Sequence, residues 1–363
     1  MLIYLIIFIL SILFYNVACK SKGFTAGLSL SLAILIPSLL AAYRDVTVGT
    51  DIGVYAGVVW EYATMSKSIL SLQEEFPVME PGYLIFNYLA SRICADINFY
   101  FFIHQLVLCS SFLLLAYKYK DNNYSYLLPV FYFFFFYNEC LSMLRMSITL
   151  SVAIWVVHFY FKRKYIYAGA LFPLVLITHG SGVFLLLIPL VKYVCQRWGE
   201  HKLLLYCMSA AAAIFVYYGF QMILGQFISG GYLTTKYEMY MDQQDQSSHK
   251  IDLVLYAGLL FSIIKYTNKN NRNKEVFDLT CFLLYISFVF IMFGSIVEVA
   301  NRVVYYIICT IVLLLPQVAY DNIEKRKIIS IAIILFVVHY LYLAFTHGIA
   351  ETIPYTSKIL GIQ

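Results

Sequence analysis

The 363-residue sequence is 62% hydrophobic and 12% charged, whereas an average soluble domain is roughly 45–50% apolar and about 25% charged. So few charges cannot surround a soluble core, and a net charge of +5 gives no indication of nucleic-acid binding. The apolar residues form long continuous runs instead of short alternating segments. This pattern excludes a β-barrel and predicts an all-α polytopic membrane protein.

Apolar runs that approach the roughly 20 residues needed to cross a bilayer recur along the whole chain. We therefore predict a single integral membrane domain over residues 1–363, with about twelve transmembrane helices and no internal repeat. The predicted spans lie near residues 2–18, 24–42, 97–116, 125–137, 141–161, 165–178, 182–195, 203–224, 251–266, 276–296, 302–320 and 328–347. The aromatic run 131–137 is expected to belong mostly to the interface belt and the lipid-facing surface.

Two long segments are predicted to stay on the outer side of the membrane. Residues 43–96 form the first extracytoplasmic loop, with an amphipathic stretch around 52–72 and an apolar stretch at 81–95. Asn87 and Arg92 argue against a span at 81–95, so we interpret this stretch as an interfacial or re-entrant helix. Residues 225–250 form a second, polar outer loop that suits a neutral, hydroxyl-bearing ligand.

The distribution of basic residues sets the predicted orientation. If the loops at 20–22, 118–120, 162–164, 192–202, 265–274 and 325–327 are cytoplasmic, they hold 17 of the 25 Lys and Arg residues. The positive-inside rule then places both termini outside.

A short hairpin is predicted around His179-Gly180-Ser181-Gly182. Its arms, 165–178 and 182–195, have fourteen residues each, and at 1.5 Å per residue each reaches about 21 Å of a roughly 30 Å hydrocarbon core. The hairpin tip should therefore lie below the outer surface. There His179 is either a substrate-facing residue or a hydrogen-bonded structural histidine.

Three further groups of polar residues lie at predicted outer helix ends. Arg44-Asp45 precedes Gly49-Thr50-Asp51 and Tyr55, although Thr50 or Asp51 also fits an ordinary helix N-cap. Arg145 shares i, i+4, i+7, i+11 spacing with Asn138, Ser142 and Thr149, which predicts one polar helix face, although an arginine there can also snorkel. Glu298, Asn301 and Arg302 follow the 276–296 span, and Glu298 and Arg302 can simply pair.

Arg44, Arg145, His179 and Arg302 would together place four cationic or potentially cationic groups on the outer side. Guanidinium groups bind phosphate oxygens in a bidentate manner, so this arrangement indicates a site for a lipid diphosphate. The sequence contains no C-x-x-C pair, and its predicted outer loops contain no Asp-x-Asp sequence. We therefore expect no metal site and no cofactor.

The order of these motifs resembles the EpsG-like polysaccharide polymerases, which belong with the Wzy-type O-antigen polymerases. The resemblance rests on Tyr43-Arg44, Gly49-Thr50-Asp51, Tyr55 and Glu80-Pro-Gly-Tyr83, and on Arg145 and His179-Gly-Ser. It covers about residues 40–190, and the rest only by span pattern and by the position of Arg302. Ile52 departs from the aromatic or polar residue expected after Gly-Thr-Asp.

The resemblance implies a metal-independent, GT-C-like glycosyltransferase in the bacterial inner membrane, with its active site facing the periplasm. Such an enzyme joins undecaprenyl-diphosphate-linked oligosaccharide repeat units, alone or beside a chain-length regulator protein. We expect Arg145 and Arg302 to bind the diphosphate with help from Arg44. Substrate-binding roles are also expected for Glu80, Tyr55 and Asn301. Asp51, Glu80 and His179 are the candidate bases for the acceptor hydroxyl, and Arg145 is counted with Asp51 and His179 as catalytic. We expect Asp51 or His179 to lie near that hydroxyl, with Asp51 the better base and His179 positioning the acceptor.

Two other functions compete with this prediction. A flippase or other transporter of lipid-linked oligosaccharides should carry charges midway along several spans, whereas here they lie mainly at helix ends. An O-antigen ligase should have a larger late periplasmic domain than residues 225–250. A membrane scaffold without catalytic activity is the remaining alternative.

Overall fold

The computed structural model describes residues 1–121, 124–198, 201, 204, 206–209, 211, 249–268, 270, 272–294 and 298–362, and in these residues it contains helices and no strand. The α-helices are α1 Leu2–Lys20, α2 Gly23–Ala42, α3 Gly57–Met65, α4 Ile69–Glu75, α5 Pro81–Ile93, α6 Ile97–Lys118, α7 Leu127–Phe131, α8 Tyr137–Ser142, α9 Leu144–Phe161, α10 Tyr165–Thr178, α11 Leu187–Trp198, α12 His249–Tyr266, α13 Lys274–Gly294, α14 Glu298–Leu314 and α15 Asn322–Thr346. Two π-helical turns, Ile52–Ala56 and Tyr132–Phe136, and two 3₁₀ turns, Gly180–Leu186 and Leu315–Gln317, complete the set.

Six helices of the described chain are long and apolar enough to cross a membrane, which agrees with the predicted polytopic helical class. They are α1, α2, α6, α9, α15 and most of α13. Three shorter apolar helical segments are Leu127–Ser142, Tyr165–Thr178 and Arg302–Gln317. The predicted count of twelve therefore stays a prediction. Most of the predicted span 203–224 and most of the predicted loop 225–250 lie outside the described residues.

The polar face predicted from Asn138 to Thr149 is wrong, because the helix is broken in the middle of it. α8 ends at Ser142, Met143 adopts a non-helical conformation with φ −83° and ψ 67°, and α9 begins at Leu144. Asn138 and Ser142 consequently belong to a different helix from Arg145 and Thr149. Regular spacing predicts a shared face only while one helix continues.

The prediction that the aromatic run 131–137 mostly faces lipid is also wrong. Phe131, Tyr132, Phe133, Phe136 and Tyr137 are fully buried. They pack against Phe8 of α1, Phe112 of α6 and Phe336 of α15. Because the π-helical turn 132–136 interrupts the regular helical register, these side chains can contact several neighbouring helices.

The first predicted outer loop contains short helices. α5 has 13 residues, which at 1.5 Å per residue give about 20 Å, too short for a membrane span. The two polar residues of this stretch find partners inside the loop: Asn87 donates to the carbonyl of Tyr83 at 2.8 Å, and Arg92 donates to the carbonyl of Thr64 at 3.0 Å. The helix can therefore keep these groups without facing lipid.

The described chain divides into two compact units, residues 1–183 with 336–363, and residues 184–335. In the first unit α1 packs on α2, α2 on α6, α6 on α9 and α9 on α10, while α5 packs against α3 and α10. In the second unit α13 packs against α11, α12 and α14.

The segment that follows α15 folds back over residues 40–50 of the first unit. The amide of Asp45 donates to the carbonyl of Thr356 at 3.0 Å, and the amide of Gly49 donates to the carbonyl of Glu351 at 3.1 Å. Gly49 has φ +100°, and a Cβ there would lie 2.9 Å from the carbonyl oxygen of Leu141. Only glycine accepts both that φ and that close approach.

Candidate functional site

Glu80 occupies the junction between the outer loop and α5. It is the residue before Pro81, which disfavours helical backbone, and it has the extended conformation φ −63°, ψ 129° with Pro81 at the first helical position. Its side chain makes no capping hydrogen bond to α5. The carboxylate can therefore extend away from its own helix.

Arg145 reaches this carboxylate from the first turn of α9. Its Nη1 lies 3.0 Å from Oε2 of Glu80 and 3.7 Å from the sulfur of Met79. Its guanidinium carbon lies 4.6 Å from the ring centre of Tyr55. The Nε atom is buried without a hydrogen-bond partner in the described chain, so this guanidinium has donor capacity that the protein does not use.

His179 binds the other oxygen of the same carboxylate. It directly follows α10 in extended conformation, and its Nδ1 lies 2.9 Å from Oε1 of Glu80. The amide of Gly180 donates to the same oxygen at 3.4 Å. Glu80 thus connects an arginine on one helix with a histidine at the end of another.

Close packing holds the three elements together. A Cβ on Gly82 would lie 2.8 Å from the carbonyl oxygen of Ile177, so glycine lets α5 approach the end of α10. The hydroxyls of Thr149 and Thr178 are 3.0 Å apart and join α9 to α10. Glu80, Arg145 and His179 are each one to four residues from one of these contacts.

Glu80 is an anion at any physiological pH. Burial by itself would raise the pKa of its carboxyl group, but the hydrogen bond with His179 and the charge of Arg145 lower the pKa to about 2. The side chain of Glu80 is 19% exposed and that of His179 10% exposed. The pair is therefore largely shielded from solvent and yet accessible to a ligand.

Asp51 and Tyr55 join this cluster through Arg145. The hydroxyl of Tyr55 donates to Oδ2 of Asp51, one helical turn earlier. Burial raises the pKa of Tyr55 well above its usual range, with contributions from Tyr83 and Asp51, so this phenol keeps its proton. The cluster formed by Asp51, Tyr55, Glu80, Arg145 and His179 is called the Glu80 cluster below.

Arg44, in contrast, is enclosed by aromatic rings. It is 2% exposed, and its guanidinium carbon lies 4.4 Å from the ring centre of Phe101. Its Nε and Nη1 atoms have no hydrogen-bond partner in the described chain. Burial lowers the pKa of Arg44 to about 10, which still leaves it a cation at neutral pH.

Arg302 belongs to the second unit, where it lies on α14, and the side chain of Asn301 lies outside the described part of the chain.

Among the described residues, no three His, Cys, Asp or Glu side chains converge in a way that could hold a metal ion.

All five members of the Glu80 cluster were named from the sequence, but the contacts of Glu80 with Arg145 and His179 were not predicted. Glu80 is 65 residues from Arg145 and 99 from His179 along the chain, so no local pattern links them. The role of the segment 347–358 was not predicted either. The side-chain amide of Asn138 donates to the hydroxyl of Thr352, the hydroxyl of Ser357 donates to the carbonyl of Tyr43, and the amide of Lys358 donates to the carboxylate of Asp45. The only signal for this segment was its loss of continuous hydrophobicity after α15.

A family model described as the EpsG family matches residues 27–357. No curated protein and no solved structure matches the chain.

Proposed function

The chain belongs to the EpsG family, a family of Wzy-like polysaccharide polymerases, and from this premise we propose that it joins undecaprenyl-diphosphate-linked oligosaccharide repeat units into O-antigen or a related surface polysaccharide. The family match over 27–357 supports a polysaccharide polymerase-like role, and the guanidinium of Arg145 supports a substrate with an anionic leaving group. The observation that carries the proposal is the Glu80 cluster. In this cluster Arg145, whose Nε has no hydrogen-bond partner in the described chain, and His179 both contact the carboxylate of Glu80.

The proposed reaction transfers the growing glycan from its lipid diphosphate to a hydroxyl of the incoming repeat unit. As the bond between the anomeric carbon and the diphosphate oxygen breaks, negative charge accumulates on the diphosphate. Arg145 would stabilise that charge with preorganised donors in a partly dehydrated site. We propose that Arg44, enclosed as it is, assists through its charge.

We place this chemistry on the periplasmic face of the bacterial inner membrane, in a GT-C-like, metal-independent enzyme. Support comes from the direction of the helices in the first unit. α9 begins beside Arg145 and is followed by Lys162, while α6 ends at Lys118, whose ammonium lies 5.5 Å from the ring centre of Phe159. Lysines therefore collect at the end of this unit opposite the Glu80 cluster, as the positive-inside rule requires.

The proposed partners are the lipid-linked donor and acceptor, the bilayer itself, and a chain-length regulator protein. The flippase and ligase alternatives predict different intermediates, which makes them distinguishable in cells.

Gene deletion tests the proposal, with complementation by the wild-type gene as the control. We expect the ladder of long surface glycan to disappear while single repeat units remain on the cell surface. Loss of all surface glycan would contradict the proposal in favour of a flippase, and accumulation of lipid-linked polymer would contradict it in favour of a ligase.

A further inference from the structure

We propose that Glu80 is a positioning residue that makes Nε2 of His179 the general base for the acceptor hydroxyl. This inference rests on the proposed function and deepens it, since it assigns the base of the same site.

The tautomer of His179 follows from its partner. An ionised carboxylate has no proton to donate, so the 2.9 Å contact between Nδ1 and Oε1 of Glu80 requires the proton to be on Nδ1. In neutral His179 the lone pair is then on Nε2. No group of the described chain is hydrogen-bonded to Nε2, so the basic nitrogen remains available to a substrate hydroxyl.

The charge of Glu80 also stabilises the product of proton transfer. When Nε2 accepts a proton, the imidazolium lies directly against a carboxylate, which offsets the cost of creating a cation in a partly buried site. Arg145, on α9, opposes formation of the imidazolium, because it is itself a cation paired with the same carboxylate, with Nη1 3.0 Å from Oε2. A diphosphate bound to Arg145 would offset that positive charge, so donor binding would favour proton uptake by His179. In the described chain, Glu80 and Arg145 are the charged groups that face His179 from α5 and α9.

Asp51 is less suited to this role than the sequence suggested. One of its oxygens already accepts the hydrogen bond from Tyr55, whose ring lies against Arg145. A carboxylate is also ordinarily a weaker base than an imidazole. Its hydrogen bond with Tyr55 instead suits orientation of the Tyr55 ring beneath the guanidinium of Arg145.

The step balances without any further reactant. The acceptor hydroxyl oxygen forms a bond to the anomeric carbon of the donor as its proton moves to Nε2 of His179. The bond from that carbon to the diphosphate oxygen breaks, and its electron pair leaves with the undecaprenyl diphosphate. The proton on Nε2 then passes to solvent or to the released diphosphate.

The first test reads the histidine itself and needs no activity. Full-length protein with ¹⁵N-labelled histidine is examined by NMR in lipid, and His179→Gln identifies the signal of His179. We expect the Nδ1–H tautomer in the wild type and in Glu80→Gln, whose amide oxygen can still accept from Nδ1, and a mixture of tautomers in Glu80→Ala. Glu75→Gln, at an exposed position of the same outer loop, is the matched control. An Nε2–H tautomer in the wild type overturns the proposal.

The second test is the rate of repeat-unit consumption in proteoliposomes. We expect His179→Gln to lose about 10²–10⁴-fold in rate, the usual contribution of a general base, and Asp51→Asn to lose less. Glu80→Ala should lose more than Glu80→Gln, because only the amide oxygen of Gln can still accept the hydrogen bond from Nδ1.

The outcomes separate this inference from the proposed function. An active wild type with an active His179→Gln, or with equal rates in Glu80→Ala and Glu80→Gln, overturns the role of Glu80 and leaves the polymerase function intact. A wild type that consumes no repeat unit under any condition contradicts the function, while the NMR result still decides the tautomer.

Discussion

At the scale of single residues, Glu80 determines the site because each of its two oxygens has a different partner. Arg145 binds Oε2 and His179 binds Oε1. The carboxylate therefore fixes the distance between the group proposed to hold the leaving diphosphate and the group proposed to activate the acceptor. A change at either partner leaves a partly buried charge incompletely satisfied.

Arg145→Ala should reduce polymerisation about 10²–10³-fold, the usual cost, roughly 3–4 kcal/mol, of removing one donor to a developing anion. Arg145→Lys should retain a small fraction of the activity, because lysine keeps the charge but loses the planar fork. The rate is measured as repeat-unit consumption in proteoliposomes. Arg326→Ala makes the same change at an exposed position of α15 and should leave the rate unchanged. Full ladders from a normally expressed Arg145→Ala protein would refute the role of Arg145.

The lowered pKa of Glu80 predicts a pH-dependent contribution to stability. The pKa falls from 4.5 to about 2 in the folded protein, so the ionised form is favoured by folding. This contribution is fully present above about pH 5 and is lost as the pH falls toward 2. We expect Glu80→Gln to lower the melting temperature in detergent at pH 5, and the difference from wild type to shrink below pH 4.5. A difference that grows on acidification below pH 4.5 would contradict this sign.

The members of the Glu80 cluster could be named from the sequence because ionisable residues near membranes are costly and short polar motifs stand out between apolar runs. The contacts of Glu80 with Arg145 and His179 could not be predicted, since several helices lie between these residues along the chain. The burial of Arg44 could not be predicted from the sequence either. Arg44 was expected to assist in binding the diphosphate, but the side chain is 2% exposed and lies against Phe101, which is distant in sequence.

At the scale of helices, the site depends on how closely α5 approaches the end of α10. The contact of Gly82 with the carbonyl of Ile177 allows no side chain, and backbone atoms cannot move aside cheaply. This contact lies two residues from both Glu80 and His179, so the separation of the two helices sets the geometry of their hydrogen bond.

Gly82→Ala should therefore cost activity and stability together. Overpacking typically destabilises by about 1–3 kcal/mol, and here it would also separate Glu80 from His179. Gly169→Ala in α10 is the matched control, because a Cβ at that position meets nothing within 4 Å. It should be neutral or stabilise the helix by about 0.5–1 kcal/mol. Melting temperature and repeat-unit consumption are measured for both variants, and an unchanged Gly82→Ala would show that the close approach is not required.

Helix bounds were predicted well where apolar runs are uninterrupted, as in α1, α2 and α10. The break at Met143 was missed, because the residues 141–146 carry no Pro or Gly to mark it. The interruption is imposed by packing: Ser142 accepts a hydrogen bond from the amide of Thr50 at 2.8 Å and donates to the carbonyl of Ala350 at 2.7 Å. Such partners are visible only in three dimensions.

At the scale of the whole molecule, orientation is the property that the proposed function requires. In a variant without the eight native cysteines, single cysteines at Ser66 and Gln243 should react with an impermeant thiol reagent in intact spheroplasts. One at Asn270 should react only after the membrane is permeabilised. The prediction follows from the positive-inside rule applied to the six basic loops. Protection of Ser66 together with labelling of Asn270 would move the Glu80 cluster to the cytoplasmic face.

The first unit is discontinuous in the chain, since residues 336–363 complete what residues 1–183 begin. During synthesis, all of residues 184–335 are made before residues 336–363, which complete this unit. Until then Asp45 and Gly49 lack the backbone partners that Thr356 and Glu351 later provide. The packing of the first unit, which carries the Glu80 cluster, is therefore completed only when residues 336–363 have been synthesised.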